Sequence, residues 1–255
     1  MWRFVIIEEE WSDIMELTFA GRGAAFNVKE GNTNAYFIEN DTLFLIDCGE
    51  TMFEYVMQHH LLKGINKVYA LVSHMHSDHC GSLGSFGLYC QYALQERLKI
   101  IVPHQDEYIE QLRTLMTLFG NTDKAYEFVY EEDIDYMFKN FNKVRYDYTL
   151  HAYELICFSF IFETDKGDVF FSADTRTADN LLRFVDSHKN IDKIFMEVTD
   201  SNHSNDIHFN LAKLDTLIPE NIKPYIYMMH FRNDQCMQKV SDLGYKIVEV
   251  NVNIC

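Results

Sequence analysis

The apolar run Val68-Tyr69-Ala70-Leu71-Val72 leads straight into His74-Met75-His76-Ser77-Asp78-His79. A strand this apolar is buried on both faces, and its polar end gathers three imidazoles and a carboxylate in one tight loop. That combination points to a layered α/β fold, in which sites form where buried strands run out. Residues two apart on an extended backbone point the same way. His74 and His76 can therefore grip one ion, while Asp78 and His79, past the turn, reach a second. Neutral imidazole and carboxylate oxygen are the ligands that a borderline metal such as Zn²⁺ takes.

The rest of the chain alternates strand and helix signals. A first strand is expected over 15–20, before Gly21-Arg22-Gly23. The Gly pair there is no dinucleotide fingerprint, because Phe26 stands where the third Gly is needed. Residues 35–39 and 42–46 read as a hairpin about Asn40-Asp41. Helices are expected over 52–62, 83–98, 105–118, 178–187, 209–217 and 234–243. Further strands are expected over 67–73, 100–102, 155–163, 168–172, 193–198, 225–229 and 245–250. Residues 124–148 are acidic and aromatic, with weak periodicity. Strands come first as meanders and then alternate with helices, in both halves. This predicts two mixed sheets packed face to face, with helices outside. The chain reads as one domain over 1–255, with 1–14 as an extension and 104–148 as a lid, a dimer contact or plain packing.

Composition narrows the function. The 255 residues are 47% hydrophobic with only 3 Pro and 11 Gly, enough for a sizeable core and against long linkers. The formal net charge of −17 repels phosphate backbones and leaves no footprint for nucleic acid or an anionic membrane. It still permits a small anion, because bound cations invert the local field. The 6 Cys form no Cys-x-x-Cys pair, and no stretch approaches a membrane span. Free thiols in a reducing cytoplasm are the expectation. Cys80 adjoins the histidine loop and is read as packing rather than as a ligand.

Five motifs together resemble the metallo-β-lactamase-fold hydrolases: Leu45-Ile46-Asp47-Cys48-Gly49, the His74–His79 loop, His151, Asp174 and His230. The resemblance spans nearly the whole chain and implies a four-layer αββα sandwich with two metals in a cleft between the sheets. One metal would be held by His74, His76 and His151, and the other by Asp78, His79 and His230, with Asp174 bridging them. Two divalent transition ions are implied, Zn²⁺ first and Mn²⁺ second. Ions ~4 Å apart need a shared anionic ligand, and together they can activate a water. Asp47 is expected to orient a ligand rather than to be one.

Ser172-Ala173-Asp174-Thr175-Arg176 resembles the Gly-Asp-Thr-Arg motif of the ribonuclease Z branch, and Met196-Glu197-Val198-Thr199 resembles its His-Glu-Ala-Thr. Met196 replaces the family His there. His208 matches the His of that branch's His-Ser-Thr motif by its distance from His230, although Phe209-Asn210 follow it. The resemblance makes His208 a proton donor oriented by Glu197, with His203 a weaker competitor. Asp78, His208 and Glu197 are the catalytic candidates. The stretches Gly21–Asn27 and Gly31–Tyr36 are similar to bacterial and phage phosphodiesterases of this branch, among them the anti-Pycsar enzymes that open cyclic mononucleotides.

A metal-dependent phosphodiesterase acting on a cyclic mononucleotide is therefore the leading expectation, with Arg176 or Arg232 available to the phosphate. A homodimer is a further expectation. A ribonuclease Z-like endonuclease is disfavoured by charge and by the short interval between His151 and Asp174. Hydrolysis of a lactone, thioester or β-lactam is the next alternative. A non-catalytic nucleotide-binding protein is the last.

Overall fold

The computed structural model describes residues 15–203 and 206–250. The extension read over 1–14 lies outside them, as does Cys255. The sheets carry the plan. One has the order β1 (Thr18–Gly21), β2 (Asn34–Glu39), β3 (Thr42–Ile46), β4 (Lys67–Leu71), β5 (Leu98–Val102), β6 (Tyr126–Tyr130). The other runs β7 (Lys143–Thr149), β8 (Cys157–Glu163), β9 (Asp168–Phe171), β10 (Ile191–Glu197), β11 (Ile226–Met229), β12 (Lys246–Ile247). In each sheet the first two pairings are antiparallel and the next three parallel. The two halves thus repeat one pattern, and the fold is the expected α/β sandwich of two mixed sheets with helices.

Alternation along the strands divides the core. On β10, Phe195 belongs to the core between the sheets, while Ile194 and Met196 face the helices. On β9, Phe171 and Phe170 split in the same way. Both faces are covered, which is why these parallel strands read as unbroken apolar runs. Aromatic rings join the sheets. Phe19 of β1 stacks on Phe171 at 6.3 Å and meets Phe195 at 5.2 Å. Burying each such ring contributes on the order of 1.5–3 kcal/mol. On the outside of the second sheet, α5 (Asp179–Ser187), α6 (Leu211–Leu217) and α7 (Asp234–Asp242) bury Phe184, Leu214 and Val240. Against the first sheet lie α1 (Met52–Gln58), α3 (Leu83–Tyr89) and α4 (Asp106–Leu118), and the one-turn α2 (Ser77–Cys80) carries part of the histidine loop.

Several expected boundaries shift. The helix read over 83–98 is α3 plus a π-helical turn, Cys90–Leu94, after which Leu98 opens β5. The weakly periodic stretch 124–148 contains β6 and most of β7, an edge strand of each sheet. Their outward residues are charged, such as Glu127, Arg145 and Asp147, which protects an edge and blurs its apolar pattern. The closing strand is only Lys246–Ile247.

Gly49 ties β3 to the histidine loop. Its N–H donates to Asn34 Oδ1 at 2.6 Å, and a Cβ there would lie 1.9 Å from the Asp78 carbonyl oxygen. Gly49→Ala should push the loop off β3 and cost about 1–3 kcal/mol, as overpacking does. Its melting midpoint should fall by about 3–10 °C. Gly64→Ala is the comparison: nothing approaches within 4 Å there, and only the φ of +81° opposes a side chain. Equal midpoints for the two variants would refute a close-approach role for Gly49.

Candidate metal centre

Every candidate ligand leaves the end of a strand on one edge of the sandwich. The histidine loop follows β4, His151 follows β7, Asp174 follows β9 and His230 follows β11. Two of these corners, and the Asp47 corner after β3, use left-handed backbone at residues other than Gly: Ala173 (φ 48°), His230 (φ 62°) and Asp47 (φ 61°). Such conformations cost on the order of 1 kcal/mol or more each and persist where the surroundings impose them. Ala173 occupies the position where the resembling motif has Gly, the residue that adopts positive φ without steric cost.

The side chains converge in two groups. His74, His76, His151 and Asp174 place one donor atom each within 4.8 Å of one another, and so do Asp78, His79, Asp174 and His230. In the first group, His76 Nδ1 lies 3.0 Å from His74 Nε2 and 3.2 Å from His151 Nε2, and Asp174 Oδ2 lies 3.5 Å from His151 Nε2. In the second, Asp174 Oδ1 is 3.3 Å from both His79 Nε2 and His230 Nε2, and Asp78 Oδ2 is 3.3 Å from His230 Nε2. Asp174 thus turns one oxygen to each group. A tetrahedral ion with bonds of 2.0–2.1 Å would set its ligand atoms roughly 3.3 Å apart. Both groups match that spacing. His79 Nε2 and Asp174 Oδ1 are buried without a hydrogen-bond partner. A cation between them would satisfy both, so the residues fit two metal ions.

The far ring nitrogens fix the tautomers. His79 Nδ1 donates to Asp47 Oδ2 at 2.7 Å, and His151 Nδ1 to the Ile207 carbonyl at 2.8 Å. Ser73 Oγ donates to Asp47 Oδ2 at 3.0 Å and lies 3.0 Å from His74 Nδ1, from which it can accept. Asp47 therefore steers a ligand in each group, His79 directly and His74 through Ser73, leaving each Nε2 lone pair free for a metal. Burial lowers the pKa of His74, His76 and His151, keeping the rings neutral. Burial works against charge on Asp174 too, but His230 and His79 hold its carboxyl well below the usual range. Cys80 is no ligand here. Its thiol reaches the His76 carbonyl at 3.2 Å, and burial pushes its pKa up to about 12.

Glu197 and His208 stand beside Asp174. His208 Nδ1 is 3.2 Å from Glu197 Oε2 and 3.8 Å from Asp174 Oδ2, and its ring is 5.1 Å from those of both His151 and His230. Glu197 also accepts from the Thr175 N–H at 2.8 Å, while its own N–H donates to Ser172 Oγ at 2.9 Å. Burial opposes a charge on His208, but Glu197, then Asp174 and Asp206, outweigh it and push its pKa up to about 10. Met196 faces the helix-side core, away from Glu197, so the exchange noted at that position leaves this pair untouched. Arg232 is held by Asp200 at 3.0 Å. Arg176 and His203 line a neighbouring pocket that includes His208.

The family model described as anti-Pycsar protein Apyc1 matches residues 15–252. The chain belongs to the anti-Pycsar Apyc1 family. An Apyc1 protein from Paenibacillus harenae is 28% identical over 227 residues, covering 85% of this chain and 90% of the relative. Among solved structures, the metallo-β-lactamase-fold protein YhfI from Bacillus subtilis has a TM-score of 0.66 at 17% identity, covering 91% of this chain and 95% of its own. Human tRNase Z, short form, has a TM-score of 0.62 at 16% identity, covering 92% and 96%. Those two likenesses establish the fold. Family and site together make this Apyc1 relative a metal-dependent hydrolase. Among its described residues, no helix is long and apolar enough to cross a membrane.

Ser73 and the Ile207 carbonyl carry no motif of their own, and sequence reasoning passed over them; Ser172 and Thr175 lie in the Asp174 motif, but their contacts with Glu197 did not follow from it. Their roles come from neighbours that the fold brings close. The strained corner is open to test. Ala173→Gly should keep the fold and activity, whereas Ala173→Val puts a β-branched residue at positive φ. The Val variant should lose about 1–2 kcal/mol and melt roughly 3–8 °C lower. Equal melting of the two variants would remove backbone strain as the constraint.

Proposed function

We propose that the protein is a dinuclear phosphodiesterase that opens a cyclic mononucleotide. The carrying observation is Asp174, whose two oxygens face separate ligand groups, with His208 held against Glu197 at their shared border. Membership of the Apyc1 family supports the same reading. His74, His76 and His151 would hold one divalent ion, and Asp78, His79 and His230 the other, with Asp174 common to both. When bound, the ions supply Lewis-acid charge for the phosphate oxygens and lower the pKa of water.

The protein's own residues handle the proton. Glu197 keeps His208 Nδ1 engaged and the ring charged, so His208 Nε2 can donate. Hydrolysis forms a P–O bond to the water oxygen and breaks the ester P–O bond. The departing ribose oxygen takes the His208 proton, and the proton released by water restores it. Asp174 and Asp78 contribute negative charge that keeps a second anion out unless cations are present. The net charge of −17 supports a small substrate over a polyanion.

Two experiments address this reading. Metal-replete protein should carry close to two transition ions per chain, Zn²⁺ foremost. Asp174→Ala should disturb both ions and His230→Ala mainly one. Elemental analysis giving a single ion in the wild type would overturn the dinuclear assignment. In a substrate panel, 3′,5′- and 2′,3′-cyclic nucleotides should be linearised, with folded pre-tRNA and nitrocefin left intact. His208→Ala should keep its metals yet lose roughly 10²–10⁴-fold in turnover on a ribose leaving group. Its loss should be much smaller on bis(p-nitrophenyl) phosphate, whose leaving group needs little protonation. Equal losses on the two substrates would remove His208 from the proton transfer.

A further inference from the structure

Arg176 is the one arginine among the described residues without a carboxylate partner. Arg22, Arg97, Arg113, Arg145, Arg183 and Arg232 each pair with an Asp or Glu at 3.1 Å or less. In a chain with 39 acidic residues against 22 basic ones, an unpaired guanidinium stands out. Its contact is aromatic instead: the guanidinium carbon lies 4.2 Å from the centre of the Tyr153 ring. Tyr153 is 83% exposed, the most exposed large hydrophobic among the described residues after Phe26 and Val28. The Arg176 backbone N–H already closes this corner on the Leu150 carbonyl at 2.8 Å, so the guanidinium is not needed to hold the loop.

Both side chains line a pocket of about 550 Å³ that also includes His208, Phe209 and Lys213. That volume suits a small ligand. The pocket reaches His208, whose Nδ1 is 3.8 Å from Asp174 Oδ2, so a phosphate at the ligand groups would leave the remainder of its molecule toward Tyr153. An exposed aromatic ring backed by a guanidinium is a stacking surface for a planar base. We propose that Tyr153 and Arg176 form the platform on which the nucleobase of the substrate stacks. This rests on the cyclic-nucleotide reading above and adds the base-binding half of the site. Stacking uses the π-face and not the base edge, so the platform accepts all bases with modest preference.

The test uses metal-replete full-length protein, as wild type, Tyr153→Ala, Tyr153→Phe and Arg176→Ala. Turnover is measured on adenosine 3′,5′-cyclic monophosphate and on the abasic 1-deoxyribose 3′,5′-cyclic phosphate. Calorimetry measures binding of linear AMP. Tyr153→Ala should raise KM for the nucleotide roughly 10-fold or more, with kcat nearly constant, because base stacking contributes alike to ground and transition states. Tyr153→Phe should restore KM, and Arg176→Ala should shift it in the same direction as Tyr153→Ala. The abasic substrate should start with the higher KM and change less than twofold in the variants. An unchanged KM for the nucleotide in Tyr153→Ala overturns the platform. So does an equal loss on the abasic substrate in Arg176→Ala, which would make Arg176 a phosphate contact. If the wild type opens no cyclic nucleotide, the functional reading falls and AMP binding decides alone. A roughly tenfold loss of AMP affinity in Tyr153→Ala then keeps the platform, and no loss, or no AMP binding by the wild type, rejects it.

Discussion

The carboxylate of Asp174 is the point on which the site depends. One oxygen faces His74, His76 and His151, and the other faces Asp78, His79 and His230. A buried carboxylate surrounded by five imidazoles and a second carboxylate is costly unless opposite charge reaches it. The neighbouring His230 and His79 favour its ionised form, yet Asp174 Oδ1 lacks a hydrogen-bond partner. The arrangement makes sense as a receptacle for positive charge. Its position is set by the end of β9 and by the left-handed turn at Ala173, which swings Asp174 into the cleft.

A second carboxylate, Asp47, does the corresponding work one layer out. It ends β3 as Asp174 follows β9, and β3 and β9 hold equivalent places in the two repeated strand patterns. From that corner it receives the Ser73 N–H at 2.7 Å, the Ser73 hydroxyl and His79 Nδ1. One group therefore sets the ring orientation of a ligand in each cluster. Glu197, at the end of β10, plays the like part for His208. The donor set is divided between the halves: the first supplies the histidine loop and its support, and the second supplies His151, Asp174, His230 and the His208–Glu197 pair.

Charge sets what the cleft can take. A surface rich in Asp and Glu repels long polyanions over the Debye length, about 8–10 Å at physiological salt, whereas a small anion feels mainly the local field. The ligand groups are buried and shielded from much of that surface. Arg176, free of any acidic partner among the described residues, is a basic group that the fold leaves to the pocket. Lys213 stands on the same wall.

Much of this was legible before the fold was known, because the ligand groups are chemically distinctive and sit at strand ends that local patterns mark. His74, His76, Asp78 and His79 announce themselves by spacing. His151, Asp174, His208 and His230 followed from motif order. The edge strands β6 and β7 were obscured, since half-exposed strands carry charge where a core strand carries apolar side chains. What sequence alone determined is the donor inventory and the alternation that builds two sheets. Only the tertiary structure decided how those donors divide into two groups around Asp174, which nitrogen of each ring faces inward, and that Arg176 rather than Arg232 stays unpaired at the pocket. Those outcomes depend on Ser73, Ser172, Ile207 and Asp200, partners distant in sequence or too ordinary to mark a motif, whose roles exist only once the strands have packed.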